Sequence, residues 1–167
     1  MSIFEHCFTV DLYDIDAKNR LSTKSLLKFM QEIGSFHSSL CGYGVNDVER
    51  TGVSWFLLNW KVEMLSRPSW NSKILIKTWP RKNEKVYSYR DYLAYDQTGN
   101  LVARVSSKWV LLNVKTHTIQ KITGEVEKAY DLEKTQVFEE EITRLKEPDH
   151  FDHTFAVSYT HLFLLQN

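Results

Sequence analysis

One stretch of this chain has the period of a helix, and nearly everything after it has the period of a strand. Leu26, Met30, Ile33, His37 and Leu40 recur at spacings of three and four, which predicts a helix over Thr23–Leu40. Ser22 stands where its hydroxyl can accept from the first free backbone N–H groups. Gly42 and Gly44 follow the last turn and supply the positive φ that a helix stop commonly needs. Gly34, Ser35, Ser38 and Ser39 are small, so that part of the helix can approach a packed surface closely. Ahead of the helix, Phe4–Tyr13 alternates, with Phe4, His6, Phe8, Val10 and Leu12 on one face, and 14–20 is a polar loop. Behind it come Val53–Met64, Lys73–Trp79 ending at Pro80, Lys85–Asp96 and Leu101–Asn113. A hairpin loop falls at 97–100, and 118–122 is a short continuation. A single helix must then cover the apolar face of a whole meander. The expected fold is α+β, one long central helix wrapped by a curved antiparallel β-sheet.

Charge and cysteine use exclude several functions. Lys and Arg number 21 and Asp and Glu 21, so no global field draws nucleic acid or an anionic membrane. Cys7 and Cys41 are too few for a disulfide framework and lack metal-ligand spacing. No apolar run approaches the roughly 18 residues of a membrane span. The opening residues lack the pattern of a signal peptide, so the expected location is cytoplasmic. Aromatic residues make up 13% of the chain, which implies a heavy core or an apolar ligand site. Residues 125–147 carry eight acids against four bases and read as a solvated linker with helical pieces. Pro148 breaks that stretch, and Phe151–Tyr159 reads as the start of another strand.

Particular residues sharpen this outline. They are LLKFMQEIGSFHSSLCGYG (26–44), Trp55 with Leu57 in SWFLLNWKVEM, Pro68-Ser69-Trp70 before KILIKTWP, Arg90-Asp91 in YSYRDYLAYDQTGN, and Ser107 to Asn113. Over roughly residues 4 to 125 they resemble, in register, the acyl-acyl-carrier-protein thioesterases, whose chains hold two hotdog repeats. The resemblance implies that 1–124 is the N-terminal hotdog domain, 125–150 a charged linker, and 151–167 the start of a second repeat. It implies thioester hydrolysis that releases fatty acid during lipid synthesis, with water and no cofactor. The implied partners are an acyl carrier protein and its acyl chain, and the repeat pairs with a second hotdog repeat or with itself. In that family the catalytic carboxylate, asparagine and histidine lie in the second repeat, in an Asp-x-Asn-x-His-type run. Phe8 to Asp16 opens the first repeat, and Asp152 to His161 resembles the opening of the second, where the sequence given stops. Val157 to Leu162 resembles the translated end of a transposon used in sequencing adaptors, so 157–167 are expected to be a non-native tail. The expectation is therefore a substrate-binding half that lacks the catalytic residues.

Thioester hydrolysis needs a base or nucleophile beside the carbonyl and donors where the oxyanion develops. Asp16 is the best-placed carboxylate for a self-sufficient enzyme. Asp14 to Asn19 resembles the Asp-x-Asp-x-x-Gly loop of single-hotdog acyl-coenzyme A thioesterases, in which the second Asp is catalytic, although Asn19 replaces the glycine. The other reading of Asp16 is a loop aspartate accepting from backbone N–H groups. Glu32, mid-helix, is the second candidate base, and otherwise faces solvent. His37 falls on the apolar stripe, the place of a core histidine with one hydrogen bond. Cys41 follows a helix C-terminus, which raises a thiol pKa and argues against a nucleophile. Asp149, His150, Asp152 and His153 cluster, but adjacent spacing in a polar linker reads as a solvated run, and no metal is expected.

Phe29, Met30, Trp55 and Leu57 are the candidates for an acyl slot, with ordinary core as the alternative. Trp79, Arg90, Asp91 and Trp109 match family positions and read as structural, Arg90 and Asp91 pointing to opposite faces of one strand. Lys73, Lys77, Arg81, Lys82, Lys85 and Arg90 face one acid, Glu84, between residues 73 and 90. Arg81, Lys82 and Lys85 are the candidates for docking an acidic carrier protein. Edge lysines that block aggregation are the alternative. Two other functions stay open at this point: a complete single-hotdog acyl-coenzyme A thioesterase acting as a homodimer, and a non-catalytic acyl-binding protein.

Overall fold

The structure is a computed structural model that describes residues 2–122, 124–143 and 150. The elements in chain order are β1 (Phe4–Thr9), α1 (Thr23–Leu40), α2 (Val48–Thr51), β2 (Val53–Met64), β3 (Lys73–Glu84), β4 (Tyr87–Tyr95), β5 (Leu101–Asn113), β6 (Thr118–Gln120) and α3 (Glu125–Ala129). Every strand pairing is antiparallel, in the order β1-β3-β4-β5-β2, with β6 added to β5. The curled sheet takes α1 on its inner face, the α+β layout expected from one helix and a meander. Among the described residues no helix is long and apolar enough to cross a membrane. Residues 151–167, with the expected second repeat and tail, lie outside the described residues.

Helix α1 has the predicted bounds and cap. The Ser22 hydroxyl accepts from the Ser25 N–H at 3.1 Å. Leu26, Phe29, Met30 and Ile33 are buried against Ile74, Ile76, Tyr92, Val102 and Val105 of the sheet. Each such side chain contributes roughly 1.5–3 kcal/mol relative to exposure. Gly34 permits the close approach, since a Cβ there would stand 3.3 Å from the Tyr92 hydroxyl. Leu40, expected on the apolar stripe, is exposed at the final residue of the helix. Gly42 has the positive φ expected of a stop, at 77°. Gly44 does not, and is needed for space: a Cβ would lie 2.7 Å from the Cα of Ser39.

Of the strand boundaries that differ from the expected ones, three have a clear local reason. β1 ends at Thr9 because the backbone of Val10 pairs with Asn71 and Ser72, after which 12–14 form a tight turn. Leu12 and Tyr13 consequently leave the sheet and are exposed. β3 continues through Pro80, where the register shifts between Pro80 and Lys82. A bulge is where a strand tolerates a residue with no N–H. Lys85 turns with φ of 50°, so β4 begins at Tyr87.

The largest departure concerns the acidic stretch after α3. Rather than being solvated throughout, 133–142 lies as a strap over the outer face of the sheet with Val137 and Ile142 buried, while Tyr130, just ahead of it, is buried on the side of α1 beside His37 and Trp55. Trp79 Nε1 donates to the Thr135 carbonyl at 2.8 Å, and the Glu133 N–H donates to the Pro80 carbonyl at 3.0 Å. Asp91, turned away from α1, accepts from Ser106 Oγ at 2.6 Å and from the Val137 N–H at 3.0 Å. Arg81 donates to both carboxylate oxygens of Glu141, at 2.9 and 2.7 Å, and its Nε lies 3.2 Å from Asp91 Oδ2. The Arg81 guanidinium holds Glu141 down at about 2. Burial pushes Asp91 up, against the bonds from Ser106, Val137 and Arg81.

Candidate substrate cleft

Gln31, Gly34, Ser35 and Ser38 fall on one side of α1 at helical spacing, adjoining the stripe that faces the core. They form one wall of a cleft of about 180 Å³. The facing wall comes from the sheet: Ser54 and Trp55 of β2, Pro80 and Asn83 of β3, Ser88 and Arg90 of β4, and Trp109 of β5. Tyr43, Gly44 and Val45 close one end, and Tyr130 arrives from the residue after α3. The small residues of the helix are the reason for the opening, because side chains of ordinary size there would fill it.

The aromatic walls are fixed by hydrogen bonds. Trp55 Nε1 donates to the Tyr130 hydroxyl at 3.0 Å, and the two rings meet edge-on at 6.0 Å. Trp109 Nε1 donates to Ser107 Oγ at 2.6 Å, and the ring lies edge-on to Trp60 at 6.2 Å. Behind the cleft, Arg90 Nη1 lies 3.0 Å from His37 Nδ1 and 3.2 Å from Thr78 Oγ1. A guanidinium only donates, so Nδ1 is the acceptor and His37 is held in the tautomer with its hydrogen on Nε2. His37 also stacks on Phe4 at 5.6 Å. Burial raises the Tyr130 hydroxyl above its ordinary value and pushes Tyr92 to about 12, with the Arg90 charge acting in the opposite direction on both.

Of the four slot candidates, the cleft contains Trp55 alone. Phe29 and Met30 are buried in the core, Phe29 stacked on Phe8 at 4.7 Å. Leu57 is half-buried and does not line the cleft. Asp16 sits in a closed turn, where Oδ1 accepts from the N–H groups of Lys18 and Arg20 and Oδ2 from the Arg20 guanidinium. The Arg20 bond holds its carboxyl below the usual range. Glu32 is half-buried on α1, outside the cleft lining. Burial raises the Cys41 thiol, opposed by Arg90. Among the described residues lining the cleft there is no Asp, Glu, His or Cys, so its walls can bind and donate but supply no base.

The docking trio is divided by the fold. Arg81 is buried and neutralised by Asp91 and Glu141, whereas Lys82 pairs with Glu84 and Glu141, and Lys85 is exposed on the turn. Arg90 is buried as well, so the basic run reaches solvent with fewer charges than the sequence suggests. His150 is exposed; Asp149, Asp152 and His153 lie outside the described residues. Among the described residues no group of three His, Cys, Asp or Glu is placed to hold a metal. Tyr43, Ser88 and Tyr130 were not singled out by sequence reasoning. Tyr130 lies in a charged stretch, and partners distant in sequence, Trp55 and His37, give it a place.

Residues 1–130 match the family model described as the acyl-ACP thioesterase N-terminal domain. Oleoyl-acyl carrier protein thioesterase 1, chloroplastic, of Arabidopsis thaliana is 24% identical over 134 residues, covering 76% of this chain and 37% of that protein. Palmitoyl-acyl carrier protein thioesterase, chloroplastic, of Cuphea hookeriana is 29% identical over 131 residues, covering 74% of this chain and 32% of that protein. The chain thus spans about a third of the length of these relatives. Among solved structures, an acyl-ACP thioesterase from Bacteroides thetaiotaomicron superposes with a TM-score of 0.79 at 20% identity, covering 95% of this chain and 65% of that one. The 12:0-ACP thioesterase from Umbellularia californica gives 0.74 at 22% identity, covering 88% and 57%. DHNA-CoA thioesterase from Staphylococcus aureus gives 0.67 at 16% identity, covering 73% and 82%. These likenesses establish the hotdog fold.

Proposed function

Because the chain belongs to the acyl-ACP thioesterase family through that family's N-terminal domain, we propose that it supplies the acyl-binding half of an enzyme that hydrolyses acyl-ACP and releases fatty acid. The observation that carries this reading is the cleft between the small-residue side of α1 and the aromatic wall of Trp55, Trp109 and Tyr130. A slot of this kind, mostly walls with a few directed polar groups, is how proteins hold a small ligand. Its volume, about 180 Å³, is below the roughly 300–1,000 Å³ of a full ligand pocket, so it takes part of an acyl group and not all of it. The reacting carboxylate is proposed to lie outside this stretch, since the cleft lining has no acid and both oxygens of Asp16 are already engaged.

The rest of the reading follows from the same elements. β2 ends the strand order with one edge unpaired among the described residues, and carries exposed Phe56 and Leu58. Pairing of that edge with a second hotdog repeat, or with another copy, would cover both. Carrier-protein docking is assigned to Lys85 and Lys82, with Arg81 serving the strap. The chemistry asks for water and no cofactor, and a cytoplasmic location belongs to the same proposal, the plant relatives being chloroplastic.

The test is a comparison of binding and turnover. The 167-residue chain is mixed with medium-chain acyl-ACP, complex formation is followed by native electrophoresis, and thiol release is measured. The reading expects complex formation weakened by Trp55→Ala, and no thiol release above the uncatalysed rate. Thiol release that disappears in Asp16→Asn would instead support the homodimeric single-hotdog enzyme. Absence of any complex would refute the acyl-binding role.

A further inference from the structure

Two arginines are buried to the same degree, at 6% exposure, and are treated in opposite ways. Arg81 faces Asp91 and Glu141. Arg90 points to the other side of the sheet, and among the described residues no carboxylate lies within ion-pair distance of it. Its protein partners, His37 Nδ1 and Thr78 Oγ1, both bond to Nη1, and neither is a carboxylate. Nε and Nη2 have no acceptor among the described residues, yet neither is sealed off as a buried orphan. Nε passes Gly34 of the cleft wall, 3.9 Å from where a Cβ would stand. The free side of the guanidinium is thus presented to the cleft.

A charge withdrawn from water without a counter-charge is costly, and the cost falls when an anion enters. The cleft lining offers that anion no competing acid and adds the Ser88 and Ser38 hydroxyls. Two adjacent N–H groups of a guanidinium match the two oxygens of a carboxylate. We propose that this cleft is a carboxylate site that retains the free fatty acid, the carboxylate on Arg90 Nε and Nη2 and the first carbons between Trp55 and Trp109. A thioester carbonyl is uncharged and gains much less from Arg90, so the site discriminates product from substrate. The inference rests on the acyl-binding reading and adds to it the charge of the bound species.

The test titrates the 167-residue chain with laurate, dodecanol and methyl laurate below their aggregation limits, by calorimetry and by NMR of the Arg90 side-chain Nε–H. Laurate should bind at least about tenfold more tightly than the other two, as a hydrogen bond to a charged group requires. Its addition should move the Arg90 Nε–H resonance, which the alcohol and ester leave in place. Arg90→Met should abolish the preference and Arg90→Lys keep part of it. Equal binding of all three, an unmoved Arg90 resonance, or a preference that survives Arg90→Met would overturn the carboxylate site alone. Binding of none would overturn the acyl-binding reading with it. If Arg90→Met does not fold, the wild-type resonance decides.

Discussion

Asp91→Ala should detach the strap and cost a large part of the stability of this domain. The Asp91 side chain is fully buried and serves three groups: Ser106 Oγ at 2.6 Å, the Val137 N–H at 3.0 Å and Arg81 Nε at 3.2 Å. Removing one partner of a buried pair typically costs about 3–5 kcal/mol, because the remaining groups stay buried without it. Arg81 keeps Glu141, which places the expected loss near 3 kcal/mol, against a total of about 5–15 kcal/mol for a domain. Urea denaturation measures the loss. Amide exchange locates it, since the Val137 N–H should become fast-exchanging while the Ile33 amide in α1 stays protected. The paired replacement Arg81→Met with Asp91→Leu should recover most of the stability, as apolar isosteres of buried pairs often do. A loss under about 1 kcal/mol, or a Val137 amide that remains protected, would refute the assignment of Asp91 as the anchor of the strap.

Three further predictions rest on separate parts of the molecule. Glu141 is held at about 2, below its ordinary value of 4.5, so its contribution is complete above pH 4.5 and is lost as pH falls toward 2. With its side chain 41% exposed, screening leaves roughly 1 kcal/mol of that. Denaturation curves of wild type and Glu141→Gln should therefore converge at low pH, with Asp91, raised by burial, pushing the opposite way in both proteins. Gly44→Ala should destabilise by about 1–3 kcal/mol in thermal melts, and Ser39→Ala should not rescue it, because removing Oγ still leaves Cα at 2.7 Å and Cβ at 2.9 Å from the new methyl. Phe29→Ala should cost about 3–5 kcal/mol in stability, while Trp55→Ala should cost ligand affinity first, as calorimetry would separate.

How much of this was legible depended on whether the signal was local. The helix could be read because its cap, stripe and stop lie within one segment: Ser22, the apolar positions 26 to 37, and Gly42. The opposite directions of Arg90 and Asp91 followed from the period of a strand. Their partners did not, because His37, Thr78, Ser106 and Val137 are brought to them only by tertiary structure. The strap was unreadable for a related reason. Val137 with Phe138, and Ile142, stand among acids with no helical or strand period to announce a buried face. Their burial depends on Trp79, Arg81 and Asp91 across the sheet. The cleft was half legible. A period marks which residues are buried, but it does not separate those packed on other side chains, such as Phe29 and Met30, from one that borders open space, Trp55. The small residues 34, 35 and 38 carried that information, through the volume they leave empty.

The central claim, that an acyl chain lies between α1 and the aromatic wall of the sheet, is tested most directly by photo-crosslinking. An acyl-pantetheine with a diazirine along its chain is bound to the protein, irradiated, and the adducts are mapped by mass spectrometry. Adducts on Tyr43, Trp55 or Tyr130 are the predicted result. Adducts confined to the exposed Leu12 and Tyr13, or to Phe138 on the strap, would contradict the account.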